Sequence, residues 1–74
     1  LLVPAAGVPE ATVSVFDSRG RQIALLHAGP LSGGRQDFPW NGLDQGGNPL
    51  PAGVYFVALR AGDVSDVRKI VRNR

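Results

Sequence analysis

The sequence predicts an all-β protein, a small antiparallel sandwich or barrel of short strands. Three observations carry that prediction. Apolar residues alternate with polar ones or gather in short β-branched and aromatic runs, and turn residues interrupt them about every 8–12 positions. Ten Gly and six Pro in 74 residues supply those turns. No segment longer than a turn or two keeps the apolar period of a helix.

Along the chain, Thr12 to Asp17 alternates, with Val13 and Val15 on one face and Thr12, Ser14 and Phe16 on the other. Ser18-Arg19-Gly20 makes a tight turn and Arg21 to His27 runs back, which reads as a β-hairpin over residues 12–27. Ala28 to Gly34 is a loop by composition. Arg35 to Trp40 reads as a short strand that lies at an edge or stops at Pro39, which has no N–H to donate to a ladder. Asn41 to Pro51 is a second turn-rich loop. Gly53 to Arg60 is the strongest strand signal, with Val54, Tyr55, Phe56, Val57 and Leu59 placing apolar residues on both faces. That pattern belongs to a central strand buried on two sides. Ala61-Gly62-Asp63 turns the chain, and Val64 to Val71 returns as the last strand. We expect residues 1–10 to form an N-terminal strand or linker and residues 11–74 to form the sandwich. The expected core is Val13, Val15, Trp40, Tyr55, Val57 and Leu59.

Size and composition narrow the function. A chain this short has a modest core and commonly leans on disulfides, a metal or a partner. Cysteine is absent and there is one histidine, so neither disulfides nor soft metal ligands are at hand. Support from a neighbouring domain or subunit is the remaining route. The formal net charge is +2 and the pI near 9.9. That slight excess of arginine is not a basic face for nucleic acid. No stretch approaches the ~18 apolar residues that span a membrane as a helix. The chain opens on Leu1 and contains no Met, from which we expect a fragment or a processed product of something longer.

Four motifs in order carry a family resemblance. Val13-Ser14-Val15-Phe16-Asp17-Ser18-Arg19-Gly20-Arg21 resembles a "V-x-I-Y-D-x-x-G-R" hairpin. Trp40-Asn41-Gly42-Leu43-Asp44-Gln45-Gly46-Gly47-Asn48 is similar to a "W-D-G-x-D-x-x-G" loop, with Asn41 in place of Asp and Leu43 where a polar residue is common. Pro51 to Leu59 resembles an "x-x-G-v-Y-x-x-x-L" strand, and Arg68-Lys69-Ile70-Val71 a closing "x-K-x-v". The set resembles the Ig-like domain of the flagellar hook-capping protein and the related C-terminal sorting domains of type IX secretion. The resemblance implies an Ig-like β-sandwich of about 5–7 strands in an exported protein, located outside the cell or on its surface. It also implies service as a secretion signal, an anchor or a structural module rather than as an enzyme.

Chemistry-bearing residues are few. Asn41, Asp44 and Asn48 offer oxygen ligands at short spacing, but a single carboxylate among them favours a turn over a Ca²⁺ loop. His27 with Asp17 or Asp37 and Ser32 has the composition of a triad without a nucleophile elbow or oxyanion loop. Gly46-Gly47 precedes Pro49 and a strand, so it is no phosphate loop. We assign no catalytic, cofactor or metal residue and expect no cofactor. Arg60, Arg68, Lys69, Arg72 and Arg74 are read as a solvated strand face whose charge opposes edge-to-edge pairing, with the aromatics committed to the core.

Leu1, Leu2, Val3 and Pro4 form an apolar segment with two readings: an edge strand packed on its own domain, or a strand added to the next subunit. Head-to-tail addition without closure makes a filament. The sequence therefore points to a structural module of an exported bacterial protein, acting in surface attachment or self-assembly. Its partners would be further copies or a neighbouring domain, or else a secretion machine. A type IX sorting signal is the alternative, and a hydrolase a remote one.

Overall fold

The computed structural model describes residues 2–3 and 6–73, and all its regular elements are β-strands. They are β1 (Leu2–Val3), β2 (Val8–Asp17), β3 (Gln22–Leu31), β4 (Gly34–Arg35), β5 (Gly53–Ala61) and β6 (Val64–Arg72). The expected all-β antiparallel architecture is present. Four strands form one antiparallel sheet in the order β3-β2-β5-β6, and β1 pairs with β4 in a separate two-stranded ribbon. This ribbon and the long connection between β4 and β5 make the second, thinner layer.

Alternation decides what the sheet buries. Directly opposed residues of antiparallel strands share a face. Val13 opposes Leu59 and Val15 opposes Val57, and these four line the inner face with Ala11, Tyr55 and Ala61. Val13, Val15 and Leu59 are wholly buried, each worth about 1.5–3 kcal/mol of apolar transfer. Ala24 and Leu31 of β3 and Val3 of the thinner layer complete the core, with Phe38, Trp40 and Leu50 packed against it. Val13 and Val15 thus lie beside the β5 residues in one sheet, while Trp40 reaches the core from the facing layer.

Several boundaries differ from the sequence reading. β2 begins at Val8, and β3 continues through residues 28–31, which composition marks as loop. β3 is an edge strand with register shifts against β2, so Pro30 costs it no indispensable ladder bond. The expected strand from Arg35 to Trp40 shrinks to Gly34–Arg35. Beyond it the chain runs irregularly, and Phe38 and Trp40 turn down onto the core. The principal strands are also longer than anticipated, at 9 or 10 residues.

Candidate interaction surface

Turn chemistry sets the frame around the sheet. At the β2–β3 turn, Asp17 Oδ1 accepts from the N–H groups of Arg19 and Arg21, both at 2.9 Å. Gly20, at φ +82°, closes the turn from the left-handed region. The backbone N–H of Arg21 is the main cause holding the Asp17 carboxyl below its ordinary pKa. The 40–50 connection uses the same device. Asp44 Oδ1 accepts from the N–H groups of Gly46 and Asn48, both at 2.9 Å, and the Asn48 bond leads in lowering the pKa of Asp44. Asn41 Oδ1 accepts from the Leu43 N–H. These side chains spend their oxygens on their own backbone, and no group of three or more His, Cys, Asp or Glu among the described residues is placed to hold a metal ion.

Aromatic residues anchor this connection to β5. Trp40 Nε1 donates to the Leu43 carbonyl at 3.0 Å, and its ring meets Tyr55 edge-on at 5.1 Å. The Tyr55 hydroxyl donates to the Pro51 carbonyl at 2.6 Å. Gly42 is buried at φ +79° against the Arg72 guanidinium, which donates to the Leu50 carbonyl.

The residues considered for a triad stand apart in function. His27 Nε2 is bonded to the Pro30 carbonyl at 3.2 Å, and its ring lies against Phe38. Asp17 is committed to its turn, and Asp37 pairs with Arg35 at 3.5 Å. Among the described residues no hydrogen bond or ion pair joins His27 to Asp17, Asp37 or Ser32.

Two expectations about faces change. The basic residues of the last hairpin do not share one face. Arg68 opposes inner-facing Val57, and Arg72 reaches the connection before β5, whereas Arg60 and Lys69 lie on the outer face. Arg74 is outside the described residues. Nor are all the aromatics in the core. Phe16 opposes Phe56 on the outer face of the sheet, the side away from the ribbon.

That outer face is the feature of the molecule with most to offer a partner. Ser14 and Ala58 oppose each other at its centre. Around them stand Phe16, Phe56, Leu25, Val54, Val67 and Val71, placed by their register with these residues. Leu25, Val54, Val67 and Val71 are 38–58 % exposed. A shallow depression lies between Phe16, Phe56, Ala58, Arg60 and Val67. Exposed apolar side chains gathered on one face are suited to contact with a partner. The signal was legible in the two-sided apolar pattern of Gly53 to Arg60. Within the described residues only one of those sides is covered.

The apolar N-terminal segment is placed in part. Leu2 and Val3 pair with Arg35 and Gly34 of the same chain, and Val3 is buried. Leu1 and Pro4 lie outside the described residues.

Among families of known proteins, the one described as the FlgD Ig-like domain matches residues 2–64. No curated protein and no solved structure matches the chain.

Proposed function

The chain belongs to the FlgD Ig-like domain family, and from that premise we propose that it is a non-catalytic structural module of an exported bacterial protein, holding a neighbouring domain or subunit against the open face of its sheet. The family is a structural, non-enzymatic domain type tied to flagellar hook capping. It lends nothing to the type IX sorting reading. One observation carries the proposal: β5 is apolar on both faces, yet its outer residues Val54 and Phe56 have no covering layer among the described residues. A strand so composed is suited to burial on two sides. The second cover then comes from outside the chain, in surface attachment or in assembly of an extracellular filament. Side chains at the sheet centre are small, Ser14 and Ala58, which lets an apolar partner approach closely.

The test places a charge on the open face in the producing cell. Val54→Asp is predicted to leave the domain folded, by circular dichroism, while the exported assembly loses its attachment or fails to form. Unchanged assembly with a folded Val54→Asp domain would contradict the proposal. A robust hydrolytic turnover abolished by His27→Ala would replace it with an enzyme.

A further inference from the structure

The two edges of the four-stranded sheet are not alike. β3 is shielded: the Gln45 N–H donates to the Ile23 carbonyl at 2.9 Å, and Gln45 Oε1 accepts from the Leu25 N–H at 2.8 Å. A single residue of the 40–50 connection thus occupies that edge as a short mock strand. Register shifts against β2 disturb β3 further, a common protection of sheet edges. Among the described residues β6 has no such guard. It pairs with β5 through nine consecutive positions without a shift, and no other described segment pairs with its far side. A long, regular, uncovered edge is a template for another strand.

The residues along β6 specify which strand. A pairing that continues the sheet must oppose inner-facing residues to inner-facing ones. Two antiparallel copies of β6 meet this condition when their two-fold axis passes through a residue. Centred on Asp66, the pairing sets carboxylate against carboxylate. Centred on Arg68, it sets guanidinium against guanidinium. Centred on Val67, it places Asp66 opposite Arg68 of the second copy on both sides of the axis. Val64 then meets Ile70 of the second copy, Ser65 meets Lys69, and Val67 meets its own counterpart. Opposite charges and apolar pairs at directly opposed positions stabilise a sheet, and like charges destabilise it. Charge on β6 therefore selects one register rather than forbidding pairing. Val67, at the centre, is 54 % exposed in the single chain. Asp66 and Arg68 already pair within the chain at 3.0 Å, so the joined strands would carry an alternating quartet of charges.

We infer that β6 is an edge through which two copies of this chain join, antiparallel and centred on Val67, into one continuous sheet. The inference rests on reading the chain as an associating structural module, and it names both the edge and the occupant. The joined sheet also extends the open apolar face across the axis.

Sedimentation equilibrium of the 74-residue chain, from micromolar to millimolar concentration, tests it through charge reversal. The wild type is expected to dimerise reversibly. Asp66→Arg alone sets Arg against Arg, Arg68→Asp alone sets Asp against Asp, and each should dimerise about tenfold or more weakly. An equimolar mixture of the two variants restores opposite charge at every position and should recover the association, as should the double variant carrying both exchanges. Recovery on mixing also excludes misfolding as the cause of the loss. A wild type that stays monomeric throughout, or single variants that dimerise as it does, would overturn the inference. Dimerisation indifferent to these exchanges but lost in Val54→Asp would overturn it too, while leaving the open face as the contact.

Discussion

At the scale of single residues, two half-buried carboxylates do much to shape the connections. Asp17 and Asp44 each gather backbone N–H groups of their own turn, and each has its pKa lowered chiefly by those bonds. A depressed native pKa gives stability that is fully present above the unfolded value, near 3.8, and lost as pH falls through the native value. Denaturant titrations should therefore show constant stability from neutral pH down to about pH 5 and a decline below that. Asp17→Asn combined with Asp44→Asn is expected to flatten this acid limb. In the core the expectation is larger. Leu59→Ala removes a fully buried side chain and should cost about 2–5 kcal/mol by chemical denaturation. Much at this scale was readable beforehand: the alternation of Val13 and Val15 announced their face, and Asp17-Ser18-Arg19-Gly20 announced its turn. The bond from Trp40 to the Leu43 carbonyl was not readable in detail, because a sequence shows that an indole N–H needs a partner but not which one.

At the scale of elements, local pattern located the long strands and long-range contact decided their limits. β3 extends past His27 because residues 28–31 find partners across β2, overriding the turn preference of Gly29 and Pro30. The strand expected at Arg35 to Trp40 fails because Pro39 cannot support a ladder and because Phe38 and Trp40 gain more by packing onto the core. Gln45 was invisible as an edge guard, since its partners lie at Ile23 and Leu25. Gln45→Ala should release the Leu25 amide, raising its hydrogen-exchange rate relative to β5 amides and costing about 0.5–1.5 kcal/mol. An unchanged Leu25 rate would show that some other group protects that edge. Val3 supplies a second element-scale test: Val3→Ala should destabilise the chain by about 1–2 kcal/mol through lost burial.

At the scale of the whole molecule, the described residues form one sheet well covered on its inner side and, among themselves, open on its outer side. The two-sided apolar character of β5 was plain in the sequence, and outside support was the option its short length favoured. Which side would lack a cover was not, because Phe16 and Phe56 carry no mark separating an inner aromatic from an outer one. The register settled it by pairing them with each other, opposite the face of Val13 and Leu59. A structural module that completes its burial by joining something else accounts for both facts together.

The measurement bearing most directly on that claim is hydroxyl-radical footprinting of the chain, alone and within the native exported assembly. Trp40 and Tyr55 of the inner layer serve as internal standards. The account predicts that Phe16 and Phe56 are oxidised readily in the isolated chain and become protected in the assembly, while the two standards change little. Equal oxidation of Phe16 and Phe56 in both samples would mean that the open face stays open, and would contradict it.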